Sequence, residues 1–312
     1  MELLILFITL SLMVYGANLL VNGSVSIANR FNIPEFIIGA LIVGVGTSLP
    51  ELAVSLTATL SDLNDVSVGN VVGSNIFNVL CILGITGLMH PISINKESIK
   101  FDIPFCCIVS LLILLLSFNF FVGNVFSIGR IDGIILLSLF VFYVIKSMSS
   151  DNNQVTNEPN IKNDKLYKTI LKIVVGLFLL VVNCDLFIDS AVNIARELNV
   201  SEAFISLTIV SCGTSLPELV SSVTAAFKKK SDIAIGNIVG SNIFNILFIL
   251  GTCSLIKPLT NSSISFFDYL MMLISILLIY IFGHYGGKIN RFTGCLMCLL
   301  FSVYTWYLLS IQ

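Results

Sequence analysis

The sequence predicts an all-α polytopic membrane protein: ten transmembrane helices, arranged as two inverted five-helix repeats, with both termini outside. Composition, an internal duplication and the placement of basic residues carry that expectation. Of the 312 residues, 56% are AVILMFWYC and 11% are charged, and mean hydropathy is +0.99. Soluble domains carry about a quarter charged residues, so a water-soluble fold is excluded. A bilayer-spanning helix needs about 20 apolar residues, so ten helices with short turns fill this length and leave no room for a soluble catalytic domain. Net charge is −2, and no basic tract points to nucleic acid.

The duplication is the strongest signal. Residues 46–84 realign without a gap onto 213–251, an offset of 167, with 24 identities in 39 positions. The offset holds upstream, where Ile27, Ala28, Asn32 and Glu35 match Ile194, Ala195, Asn199 and Glu202, and downstream, where Pro91 matches Pro258. Each copy holds five apolar segments, near 2–22, 35–60, 66–89, 100–121 and 129–148, then 167–189, 202–227, 232–256, 265–283 and 292–311. The first repeat is therefore 1–148 and the second 167–312. The polar stretch 149–166 reads as a cytoplasmic linker.

An odd number of helices per copy inserts the second copy upside down relative to the first. Loop charges orient the pair. With the N-terminus outside, 13 of the 16 basic residues fall in cytoplasmic loops, and only Arg130, Arg196 and Lys257 fall outside. Lys228–Lys230 read as an orientation signal of this kind. The opening MELLILFITLSLMV has no basic n-region and no small-residue cleavage site, so it reads as a retained first helix. The eight cysteines lie mostly in apolar runs and read as small buried hydrophobes. The Cys295/Cys298 pair has C-x-x-C spacing but no nearby histidine to suggest a metal.

Inverted repeats characterise secondary transporters, whose sites lie near the midplane where discontinuous helices meet. Segment 35–60 holds Pro50 and Glu51 in an apolar span, and segment 202–227 holds Pro217 and Glu218 likewise. Proline has no amide hydrogen, so Pro50 frees the carbonyl of Gly46 and Pro217 that of Gly213. A bare carbonyl in hydrocarbon must face protein or a polar cavity, so each helix is expected to kink and aim carbonyls into a pocket. Thr47 and Ser48 share a helix face with Glu51, and Thr214 and Ser215 share one with Glu218. A carboxylate at mid-membrane costs about 2.5–3.5 kcal/mol. No lysine or arginine lies in 35–60, 66–89, 202–227 or 232–256, so the missing positive charge is most simply a bound cation.

Segments 66–89 and 232–256 complete the set with Ser74 and Asn78, then Ser241 and Asn245, each pair four residues apart. Gly69 and Gly73, with Gly236 and Gly240, allow close helix approach. Asn75 and Asn242 fall off the pocket face and read as packing or hinge residues. Carboxylate, amide, hydroxyl and carbonyl oxygens without histidine or thiolate suit hard cations such as Ca²⁺ and Na⁺.

The paired G-T-S-L-P-E and G-S-N-I-F-N blocks resemble the α-1 and α-2 repeats of the calcium/cation antiporter superfamily, close to its prokaryotic sodium/calcium exchangers. The resemblance covers nearly the whole chain. It implies exchange of Ca²⁺ for Na⁺ by alternating access at a central four-site cluster, in a multi-pass protein of the plasma (cytoplasmic) membrane. It makes Glu51 and Glu218 the shared carboxylates, gives Thr47 and Thr214 backbone-carbonyl roles, and sets Ser48, Ser74, Ser215 and Ser241 along flanking Na⁺ sites. Gly44 and Ser211 fall at further carbonyl positions, where related archaeal exchangers carry alanine. The long first and sixth helices would slide as the gating pair. Some relatives, including K⁺-dependent exchangers, carry Asp at the position of Asn245; here both copies have Asn, which implies no K⁺ cotransport. The G-N-x-x-E-type motif of the proton-coupled branch is absent.

Two carboxylates carry about −2, which one Ca²⁺ neutralises, as do two or three Na⁺. Holding both ion sets together overloads the pocket, so occupancy is exclusive, and exclusive occupancy coupled to rocking halves is exchange. A channel would use similar oxygens, usually as rings from several subunits. A hydrolase would need distinct acid, base and nucleophile roles, which a doubled site without histidine lacks. The bilayer and the two ions are the expected partners, with no cofactor and no required protein partner.

Overall fold

The computed structural model describes residues 2–117, 126–149, 165–198, 213–261 and 264–310. Its helices are α1 (Glu2–Phe31), α2 (Glu35–Thr47), α3 (Leu49–Leu60), α4 (Asn64–Met89), α5 (Lys96–Ser117), α6 (Arg130–Met148), α7 (Leu166–Glu197), α8 (Leu216–Phe227), α9 (Ser231–Ile256), α10 (Phe266–Gly286) and α11 (Arg291–Ser310). Among the described residues, eight helices are long and apolar enough to cross a membrane, and α2 with α3 forms a ninth span bent by 47°. The tenth expected segment, 202–227, is represented by α8; its residues 202–212 lie outside the described residues.

Burial sorts the helices. α9 is 94% buried over its most apolar stretch and α4 78%, whereas α6 and α11 are 22% and 17% buried. The two helices carrying the duplicated G-S-N-I-F-N block therefore form the centre. The periphery turns large apolar side chains outward, among them Phe7, Ile131, Phe292 and Trp306, as a hydrocarbon solvent requires.

Small residues set the close crossings. A Cβ on Gly16 of α1 would lie 2.9 Å from the carbonyl oxygen of Gly176 of α7, and one on Gly23 would lie 3.3 Å from that of Thr169. As α1 advances, its partner positions on α7 recede, so the two long helices run antiparallel. Gly133 of α6 sits against the carbonyl of Gly251 in α9, and Gly294 of α11 against that of Gly84 in α4. Each half's last helix thus packs on the other half's central helix. Between α2 and α9, a Cβ on Gly39 would come 2.7 Å from the Ile233 carbonyl oxygen, and Gly236 faces the Phe36 carbonyl. The expectation of close approach holds for Gly236 and Gly240. Among the described residues, Gly69 meets only the Ile264 side chain and Gly73 meets nothing within 4 Å.

Three local features differ from expectation. First, α1 and α7 run on past residues 22 and 189 to Phe31 and Glu197, because small residues continue the packing face. α1 then stops where Asn32 adopts a left-handed φ of 52°, ahead of Pro34. Second, the protein is not purely α. β1 (Ile92–Ser93) pairs antiparallel with β4 (Lys288–Ile289), and β2 (Phe126–Ile128) with β3 (Leu259–Asn261). These ribbons satisfy loop backbone at the helix ends, and strands this short with partners so distant leave no periodic trace in sequence. Third, α4 and α9 contain π-helical turns at Phe77–Leu83 and Asn245–Leu250. Such wide turns recur at functional sites.

Candidate functional site

The two proline breaks start the construction. Ser48, with φ −85° and ψ 11°, separates α2 from α3, and Pro50 stands in the first turn of α3. Ser215, at φ −91° and ψ 9°, precedes α8, with Pro217 in its first turn. The sequence folds this way because proline suits a helix start and not a helix interior. Each glutamate therefore sits in the first turn of a new helix, where the dipole favours a negative charge.

Glu51 and Glu218 are both fully buried. Ser48 Oγ donates to Oε1 of Glu218 at 2.9 Å, and Ser215 Oγ donates to Oε1 of Glu51 at 3.0 Å. Each copy's serine holds the other copy's carboxylate, so the two acids are brought together. Among the described residues, Oε2 of Glu51 and Oε2 of Glu218 have no hydrogen-bond partner.

The asparagines repeat this pattern. Asn75 Nδ2 donates to the Asn242 carbonyl and Asn242 Nδ2 to the Asn75 carbonyl, both at 3.2 Å. Asn78 Nδ2 donates to Asn242 Oδ1 and Asn245 Nδ2 to Asn75 Oδ1, both at 3.1 Å. The amide groups of Asn78 and Asn245 are thereby oriented, leaving Oδ1 of each buried and, among the described residues, unpartnered. The turn of α4 bearing Asn78 packs on α8, and the turn of α9 bearing Asn245 packs on α3. Asn75 and Asn242, read from sequence as packing or hinge residues, hold the amides of the two candidate ligands.

Among the described residues, Thr214 Oγ1 is also buried without a hydrogen-bond partner meeting full geometry. Thr47 Oγ1 instead donates to the Val43 carbonyl at 3.0 Å and lies 3.3 Å from Asn237 Oδ1. Gly44, a candidate carbonyl position, already accepts from the Ser48 amide at 3.1 Å and from Ser241 Oγ at 3.1 Å. The Ser241 hydroxyl gives its one proton to that contact. Ser74 is buried in α4. Ser211 lies outside the described residues.

One carbonyl departs from expectation. Pro217 leaves the Gly213 carbonyl without its helical donor, and the thiol of Cys184 on α7 donates to it at 3.1 Å. That oxygen is tied to a neighbouring helix rather than left bare. The equivalent of Cys184 in the first copy is Ala17, which has no donor to offer.

Sequence reading missed a supporting layer. Asn70 Nδ2 donates to the Glu51 carbonyl at 3.1 Å and to Ser55 Oγ at 2.9 Å. Its repeat equivalent Asn237 donates to the Glu218 carbonyl at 3.3 Å and to Ser222 Oγ at 2.8 Å. The signal was present: the Gly-Asn dipeptide recurs at 69–70 and 236–237, and serine recurs at 55 and 222.

An unpartnered buried polar group costs about 1–3 kcal/mol, more if charged, and among the described residues Glu51 Oε2, Glu218 Oε2, Asn78 Oδ1, Asn245 Oδ1 and Thr214 Oγ1 are five such oxygens. Among the described residues no group of three or more His, Cys, Asp or Glu side chains could hold a metal. The carboxylate and amide oxygens among the five only accept, and such oxygens are suited to a hard cation.

The sequence profile of the family described as "Sodium/calcium exchanger protein" matches residues 1–148 and 168–310. The putative antiporter CaxA of Alkalimonas amylolytica is 34% identical, with 96% of each chain covered. The sodium/calcium exchanger MaX1 of Methanosarcina acetivorans is 30% identical, again over 96% of each chain. A solved structure of the sodium-calcium exchanger NCX_Mj, soaked with zero Na⁺ and Ca²⁺, superposes with TM-score 0.86 at 31% identity, covering 98% of each chain.

Proposed function

Because the chain belongs to the sodium/calcium exchanger family, a family of secondary transporters and not enzymes, we propose that it exchanges Ca²⁺ for Na⁺ by alternating access at the pocket shared by Glu51 and Glu218. The observation that carries this reading is the reciprocal Ser48–Glu218 and Ser215–Glu51 pairing, which leaves one oxygen of each buried carboxylate unclaimed. Those oxygens, with Asn78 Oδ1 and Asn245 Oδ1, form a ligand set that one Ca²⁺ or a few Na⁺ neutralise. Ser48, Ser215 and Thr214 border the same pocket, and the Thr47, Ser74 and Ser241 positions flank it.

The architecture we propose is ten spans in two inverted repeats, 1–148 and 167–312, joined by the cytoplasmic linker 149–166. The antiparallel packing of α1 on α7 supports it. So do contacts between loops assigned to one face: β1 with β4, Lys230 with Glu35 at 3.1 Å on the cytoplasmic side, and β2 with β3 and Lys257 with Asp62 on the outer side. α1 and α7, joined by Gly16 and Gly176, are the sliding pair. Asparagine at both 78 and 245 supplies no third carboxylate, so transport proceeds without K⁺. The site of action is the plasma membrane.

The test is ⁴⁵Ca²⁺ uptake into vesicles holding Na⁺, with Na⁺, K⁺ and H⁺ gradients imposed one at a time. Uptake should follow the Na⁺ gradient alone, and Glu51→Gln and Glu218→Gln should abolish it. Normal transport in both variants rejects the mechanism, and uptake that ignores an opposing Na⁺ gradient indicates a channel.

A further inference from the structure

A single side chain ties the end of α8 to α1. Lys228 Nζ donates to Asn22 Oδ1 at 2.6 Å and reaches the Asn18 carbonyl at 3.5 Å, across more than 200 residues of sequence. The turn after α8 fixes where this side chain emerges, because Lys229 takes a left-handed φ of 60° and the Lys230 amide closes back on the Ala225 carbonyl at 2.9 Å, a common helix ending. The contact stands in the wall of a cavity of about 440 Å³, which Ser26, Val21 and Val25 of α1 also line. Lys172 and Lys230 in the same wall have partners of their own, so Lys228 is the residue that joins α8 to α1 here.

Beneath the contact the cavity is sealed. Val21 is fully buried and Val25 nearly so, and both share one apolar cluster with Val220 and Ala225 of α8. Glu218 lies ten residues before Lys228 on the same chain segment, about 15 Å of helix deeper. The cavity therefore points from the face assigned to the cytoplasm toward the ion pocket and is stopped by the packing of α1 on α8. A cation entering from this side meets the Lys228 ammonium first, and like charges at close range repel.

The duplication makes this arrangement one-sided. At the offset of 167, Asn18 and Asn22 correspond to Asp185 and Asp189 of α7, and Lys228 corresponds to Ser61 after α3. The counterpart positions toward the other face thus carry two carboxylates and a hydroxyl, a set without an ammonium.

We propose that Lys228 is the latch of an inner gate: it holds α8 to α1 through Asn22 while the ion pocket is closed to the cytoplasm, and it must release before ions exchange on that side. The proposal rests on the alternating-access reading, in which α1 moves with α7.

The test labels Val21→Cys with a membrane-impermeant maleimide from the cytoplasmic side of vesicles holding the full chain. Na⁺ is equal on both sides, so the carrier cycles without net flux, and modification at position 21 is read by peptide mass. Breaking the latch by Lys228→Gln or by Asn22→Leu should speed labelling about three- to tenfold, the effect of one hydrogen bond. Asn22→Asp turns the contact into an ion pair and should slow labelling. In ⁴⁵Ca²⁺ exchange the same Asn22→Asp change should raise half-saturation at the cytoplasmic face, whereas a carboxylate acting only by attraction would lower it. Unchanged labelling in both Lys228→Gln and Asn22→Leu, or a lowered cytoplasmic half-saturation in Asn22→Asp, overturns the latch. If either occurs while Glu51→Gln and Glu218→Gln still abolish uptake, the latch alone is rejected and the exchange reading stands.

Discussion

The hydroxyl of Ser48 donates to Oε1 of Glu218 at 2.9 Å, across a sequence separation of 170 residues and between the two copies of a duplicated motif. Ser215 returns the bond to Glu51 at 3.0 Å. Neither copy completes its own site, because the proline break that frees each serine points it at the opposite copy's acid.

Removing either serine should therefore injure the site, and by similar amounts. A hydrogen bond to a charged group is worth about 1.5–3 kcal/mol, so Ser48→Ala and Ser215→Ala should each weaken Ca²⁺ half-saturation in vesicle uptake by about 10- to 100-fold. The double variant should fall short of the product of the two, since the acids share one pocket. Independent effects would argue for two separate sites.

The asparagine crossing predicts a distinct failure. Asn75→Ala removes the acceptor that orients Asn245, and Asn242→Ala removes the one that orients Asn78. With the amide free to turn, Oδ1 is no longer held in one orientation for the proposed ion. Apparent Ca²⁺ affinity should fall by about tenfold, the effect of losing a neutral hydrogen bond of about 1–1.5 kcal/mol, in either variant. Unchanged affinity in both would return these residues to a packing role.

Close packing of α2 on α9 makes a third prediction. A Cβ on Gly240 would come 2.6 Å from the Ala40 carbonyl oxygen. Gly240→Ala must push two backbones apart, an overpacking cost of about 1–3 kcal/mol. The thermal midpoint of the detergent-solubilised chain should drop measurably, while Gly286→Ala, with nothing within 4 Å, should leave it unchanged.

Cys184 supplies the fourth. Cys184→Ala strands the Gly213 carbonyl, a loss of about 1–3 kcal/mol, whereas Cys184→Ser keeps a donor in place. Thermal unfolding should order the chains with alanine lowest and serine near the original. Equal loss in both would mean that thiol volume, not its hydrogen bond, matters at this position.

What the residues alone could establish was whatever depends on composition and on repetition. Apolar length decides that the chain belongs in lipid, because no other solvent tolerates such surface. Two identical GTSLPEL blocks isolate Glu51 and Glu218, because a carboxylate in hydrocarbon is too costly to keep without use. The family likeness was legible there too. Other features required the fold. Whether a given serine serves its own copy or the other, whether Asn75 merely packs or aims Asn245, and why the Gly213 carbonyl is capped while Ala17 offers nothing to its counterpart all depend on contacts 29 to 170 residues apart. Linear spacing reports which face of a helix a residue occupies. It cannot report which helix stands opposite, because that is settled by the packing of glycine-lined surfaces in three dimensions.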